Sequence, residues 1–168
     1  VPKTQSGFIL ENQLVKYEFN GNGTLKVAYD KELKLNLLKN NGNVLSLYED
    51  RPLNWDAWDI DFYYKESLLE TASVKSINKV VNGNVCSALE ISYMIGNSKI
   101  DQKITLANDS KRLDFNTSID WSEKHKMLRV HFPTIIKCEQ ASYDIQYGYV
   151  KRNNHKNTSW DRAKFEVV

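Results

Sequence analysis

The chain has 168 residues, with 23 Lys and Arg against 21 Asp and Glu, 41% hydrophobic and 26% charged. That length suits one domain with a sizeable core, and the near-neutral balance gives no electrostatic case for nucleic acid or an anionic membrane surface as a partner. No apolar run nears the ~18 residues a membrane span needs, and VPKTQSGF at the start lacks the apolar centre of a signal peptide.

In chain order, period-two alternation predicts strands. LVKYEFN and TLKVAYD flank Asn20-Gly21 and Asn22-Gly23, a hairpin signal, because Asn-Gly pairs supply the positive φ of tight turns. KELKLNLLKNN, residues 31–41, reads equally as a short helix or as strand and loop. SVKSINKVV and VCSALEISYMI are joined through Asn82-Gly83, and the second, apolar on both faces, is predicted to be a central strand. Gly96-Asn97 then leads into KIDQKITLA, where Ile100, Ile104 and Leu106 share a face opposite charged residues. RLDFNTSIDW puts Leu113, Phe115, Thr117, Ile119 and Trp121 on one side. MLRVHF does the same with Leu128, Val130 and Phe132. ASYDIQYGYV predicts an inward set of Tyr143, Ile145, Tyr147 and Tyr149. No amphipathic helix longer than two turns stands out. Short strands with regular turns predict an all-β, antiparallel β-sandwich forming a single domain over residues 1–168. FEVV, at the end, stops in a strand-like run and suggests a truncated fragment with an open edge, which a homo-oligomer would cover.

Cys86 and Cys138 lie in apolar runs and read as buried free thiols of a reducing compartment. N-x-[ST] triplets at Asn22, Asn108, Asn116 and Asn157 carry little weight in an Asn-rich chain. No H-x-H, H-x-E or C-x-x-C spacing predicts a metal site, and no G-x-S-x-G elbow or glycine-rich phosphate loop is present.

Acids and aromatics remain. LYEDRPLNWDAWDIDFYYKE packs Asp50, Asp56, Asp59 and Asp61 among Trp55, Trp58 and three tyrosines. Trp stacks on the C–H face of a sugar and carboxylates accept its hydroxyl hydrogens. Trp55, Asp56, Trp58 and Asp59 are therefore candidate saccharide contacts. Paired carboxylates for glycoside hydrolysis are a second reading. A loop whose Trp rings plug the sandwich edge while its acids cap turns is a third. WSEKHKMLRVHFP reads as a turn, EKHK, between two strands, with Trp121 anchoring one end. RNNHKNTSWDRAKFE reads as a polar loop in which Asp161 caps, or as a binding loop.

LYEDRPLNWDAWDID, DWSEKHKMLRVHFP and YDIQYGYVKRNNHKNTSWDRAKFEV together resemble the C-terminal β-domain of class II α-mannosidases, glycoside hydrolase family thirty-eight, in its bacterial, fungal and cytosolic branch. ENQLVKYEFNGNGTLKVAYDKE is similar to the opening strands of that domain. The resemblance implies a sandwich of the galactose mutarotase-like kind and a cytoplasmic, non-catalytic fragment. The parent would hydrolyse terminal α-linked mannose of oligosaccharides. Its catalytic domain, the partner of this one, would carry the nucleophile, the acid/base and the zinc. Neither catalytic residues nor a cofactor are thus expected in this chain itself. The Trp55–Asp59 loop would pack on that domain and help wall the mannose site. The competing reading is an autonomous, lectin-like sugar-binding sandwich.

Overall fold

The computed structural model describes residues 8–163, apart from Ala57 and Asp59. The FEVV end and Asp59 therefore lie outside the described residues. The first sheet runs in the order β1 (Phe8–Glu11), β2 (Val15–Phe19), β3 (Leu25–Asp30) and β4 (Leu35–Asn36). A second four-stranded sheet holds β7 (Ser73–Asn82), β8 (Cys86–Ile95), β9 (Ser98–Ala107) and β10 (Leu113–Asp120), with β8 and β9 inside. β5 (Val44–Glu49) lies between β6 (Leu68–Thr71) and β11 (Lys126–His131). β12 (Gln140–Ile145) and β13 (Gly148–Asn153) pair with each other. Every pairing is antiparallel, so the chain is all-β and sandwich-like.

The alternation that predicted these strands builds the core. Leu89 pairs with Ile104 and Tyr93 with Ile100 across β8 and β9, and all four are buried. They meet Leu10, Tyr17 and Phe19 of the first sheet and Leu45 and Leu47 of β5 in one cluster. The face is not wholly apolar. Asn43, buried just before β5, donates from Nδ2 to Gln102 Oε1 at 2.9 Å and to the Gly23 carbonyl at 3.1 Å. Gln102 Nε2 returns a bond to Asn43 Oδ1 and reaches Thr117 Oγ1, each at 3.2 Å. The Tyr93 hydroxyl also donates to the Gly23 carbonyl, at 3.1 Å. A buried network satisfied at each member fixes register between layers. Burial pushes the Tyr93 phenol well above its usual range.

Of the two readings of residues 31–41, the structure takes strand and loop, as a turn and the two-residue β4. Two expectations need correction. Cys138 is exposed and Cys86 only half-buried, so the thiols are free but not buried. The run 141–150 is not one strand with an inward face. Ile145 pairs with Gly148 around a turn at Gln146 and Tyr147, and only Tyr143 of the four is partly buried. Among the described residues, no helix is long and apolar enough to cross a membrane.

Candidate functional site

β5 delivers the chain into the Trp-Asp loop, and a 3-10 turn over Phe62–Glu66 takes it out. The loop is anchored at both ends. At its start the Asp50 N–H donates to the His125 carbonyl at 2.8 Å. At its end the Asp61 carboxylate accepts from the Leu53 N–H at 3.1 Å and from the Tyr63 hydroxyl at 2.5 Å. That bond holds the Tyr63 phenol above its usual range. Asp61 thus folds the loop back on itself, as short acids do in turns.

Tyr64 is the buried foot of the site. Its ring meets Tyr48 of β5 edge-on at 5.2 Å, and the Arg129 guanidinium sits 5.0 Å from its centre. Tyr48 Oη lies 3.2 Å from His131 Nε2. Burial, then the nearby Arg129 and Lys65 charges, lower the His131 pKa. Nothing in the local sequence marks this seat, because Tyr48, Tyr64, Arg129 and His131 meet only through pairing of β5 with β11.

Earlier in the loop the tryptophans stand in solvent. Trp55 is 72% exposed and Trp58 86%. The Trp58 N–H closes a turn on the Trp55 carbonyl at 2.9 Å, which places Trp55 at φ 62. The rings therefore do not plug the sandwich edge; the plugging reading is corrected. Asp56 is exposed beside them. Asp50, Asp61, Tyr63 and Tyr64 line a depression of about 250 Å³. Burial first, then the negative charges of Asp56 and Asp61, hold the Asp50 carboxyl above the usual carboxylate range, against a smaller opposing effect of His125. The loop thus combines exposed ring surface with mutually repelling acids, suited to hydroxyl donors or cations. Of the four predicted contacts, the structure brings Trp55, Asp56 and Trp58 to one exposed loop; Asp59 lies outside the described residues.

The EKHK stretch is the predicted turn, with His125 at φ 51. Trp121 at its start is 39% exposed. Glu123 fastens the turn: it accepts from Lys126 Nζ and from the Asn97 N–H, so it straps the turn to the β8–β9 hairpin. The third stretch folds on β12–β13. Thr158 Oγ1 accepts from the Asp161 N–H at 3.1 Å, while the Asp161 carboxylate accepts from the Thr158 N–H at 3.2 Å. That reciprocal capping box starts α1 (Ser159–Ala163), as the capping role foreseen for Asp161 requires. Among the described residues, no three His, Cys, Asp or Glu side chains come together as a metal-holding group.

Residues 10–168 match the model of the glycosyl hydrolases family 38 C-terminal domain. The chain is 35% identical to alpha-mannosidase G of Dictyostelium discoideum over 95% of its own length and 15% of that protein. It is 34% identical to human alpha-mannosidase 2C1 over 99% of its length and 16% of that protein. It is 36% identical to the alpha-mannosidase of Saccharomyces cerevisiae over 86% and 14%. The chain thus spans about one sixth of the curated relatives it matches. On this evidence it belongs to glycosyl hydrolase family 38, as part of the C-terminal domain of that family.

Proposed function

We propose that the chain is a non-catalytic part of a cytoplasmic α-mannosidase that releases terminal α-linked mannose from oligosaccharides. In this reading the chain is one domain of the enzyme. The nucleophile, the acid/base and the zinc belong to a catalytic domain outside the chain. The zinc would supply a binding point for sugar oxygens there. The loop at Trp55, Asp56, Trp58 and Asp59 docks on that domain and helps wall the mannose site. The observation that carries this is the pair of exposed indoles in one loop with Asp56, closed at its end by Asp61. A water-facing Trp pair is poorly placed unless something covers it.

The test uses the polypeptide at its natural length. Trp58→Ala and Asp59→Asn should each lower kcat/KM for an aryl α-mannoside about tenfold, or ~1.4 kcal/mol. Wild-type kinetics in both variants would reject the wall. Turnover by the 168-residue chain alone would reject its non-catalytic role. The same exposed indoles favour one rival, the autonomous lectin-like module, which predicts calorimetric binding of mannobiose by the isolated chain.

A further inference from the structure

Alternation divides β5 and β11 between two faces. Leu45 and Leu47 join the core, with Leu128 packed against it. Ser46, Tyr48, Arg129 and His131 share the opposite face, because Ser46 pairs with Arg129 and side chains two apart on a strand share a side. The 3-10 turn Phe62–Glu66 sits on that face through the buried Tyr64. Of the chain's three histidines, His125 and His155 are exposed and His131 is half-buried. The His131 ring centre lies 6.0 Å from that of Tyr48, which in turn meets Tyr64 edge-on. The Tyr64 N–H donates to the Asp61 carbonyl at 3.1 Å, and the Asp61 carboxylate closes the Trp-Asp loop on the Leu53 N–H. A line of contacts therefore runs from His131 through Tyr48 and Tyr64 to the residue that closes the loop.

A neutral imidazole fits this seat and an imidazolium does not. With its proton on Nδ1, neutral His131 accepts the Tyr48 hydroxyl hydrogen at Nε2, across 3.2 Å. Once protonated, both ring nitrogens donate, so Tyr48 must turn its own hydrogen away. The groups that face the ring are Tyr48 from β5, Arg129 from β11 and Lys65 from the 3-10 turn, and both charges among them are positive. A third cation repels the Arg129 that holds the Tyr64 ring. Burial and those two charges set the folded pKa of His131 below the ordinary 6.5. Its support for the seat is therefore present above about pH 6.5 and is lost as pH falls through the folded value.

We infer that His131 is a proton-operated latch on the Trp-Asp loop: neutral, it keeps Tyr48 and Tyr64 seated; protonated, it unseats Tyr64 and releases the Asp61 clasp. Histidine suits the task because its charge changes between about pH 5 and 8, and one local charge then biases a loop with two states. The latch regulates the loop that the proposed function sets at the mannose site. That consequence rests on the proposed function; the latch itself does not.

The experiment is hydrogen–deuterium exchange of the natural-length polypeptide at about pH 7.5 and about pH 5.5, with times scaled for the intrinsic exchange rate. Peptides carrying Leu53 and Tyr64 should lose about fivefold protection at the lower pH, while those of β8 and β9 keep theirs. His131→Gln keeps an acceptor for Tyr48 and takes no proton, so its loop should stay protected at both. His131→Lys, charged throughout, should leave the loop unprotected already at the higher pH. Equal protection at both pH values in the wild type would overturn the latch. So would an equal acid loss in His131→Gln, which would assign the effect to Asp50, Asp56 and Asp61. KM for an aryl α-mannoside should rise about threefold on acidification in the wild type relative to His131→Gln. An acid-released loop with KM unmoved rejects the sugar wall and leaves the latch standing, so the two failures are distinguishable.

Discussion

Gly23 shows how closely one position is determined. Its φ is +76, and a Cβ there would stand inside contact distance of the Tyr93 hydroxyl. Gly23→Ala combines a left-handed penalty with a forced shift of a buried ring, and should destabilise the fold by about 3 kcal/mol in urea titrations. A change under 1 kcal/mol would mean that the Tyr93 network is looser than its hydrogen bonds indicate. Trp55 gives the opposite case. It also sits at positive φ, yet its ring is exposed. Trp55→Gly relieves strain and removes little buried area. Its melting temperature should be unchanged or higher, while, on the proposed function, mannoside turnover of the natural-length polypeptide falls. A large thermal loss would show that the indole supports the fold instead.

Among elements, the strap at Glu123 links two hairpins through charge. Its carboxyl lies below the usual range because Lys126 and then the Asn97 N–H bond its ionised form. Asp30 is lowered likewise by the Leu33 N–H and then by Lys111. Both groups have folded pKa values below their unfolded ones. Their contribution is present above the unfolded values and is lost as pH falls through the folded ones. Melting temperature should therefore hold from pH 7 to about 5 and drop below about 4. Glu123→Gln should start lower and show a shallower acid drop; an unaltered profile would exclude the strap. The strap also explains Gly96, whose φ of +55 leaves no side chain where the Glu123 carboxylate must reach. What the sequence made legible follows the same line between local and distant. Ile100, Ile104 and Leu106 declared their face by spacing alone. Gln102, on that face, is buried because Asn43 arrives from 59 residues earlier, which no window reveals. Alternation runs unbroken through the β12–β13 hairpin because Tyr147 occupies its turn without turn chemistry, so no spacing marks the reversal. The Trp-Asp loop was legible as composition, but its Tyr48–Tyr64–Arg129 seat was not, since pairing of β5 with β11 creates it.

At the scale of the whole molecule, the apolar faces of β10 and β11 are only half covered. Ile119 and Trp121 at one end of β10, Val130 on β11 and Phe132 just after it are each 39–48% exposed, although all lie on the apolar sides that alternation marks. Phe132 still reaches inward to meet Phe115 edge-on at 5.4 Å. The core is thus dense under β8 and β9 and open where β10 and β11 approach. Apolar surface of this kind is normally covered, and the relatives are about six times longer than the matched span. The 168-residue chain by itself should bind an apolar fluorescent dye, and the natural-length protein should bind much less. Ile119→Thr with Val130→Thr keeps β-branched residues in both strands. The double variant should lower dye binding by the isolated chain with less than about 1 kcal/mol of lost stability, because each side chain is already nearly half in water. A loss near 3 kcal/mol would show instead that these residues are core in the isolated chain, and equal dye binding at both lengths would show that the rest of the enzyme leaves this side uncovered.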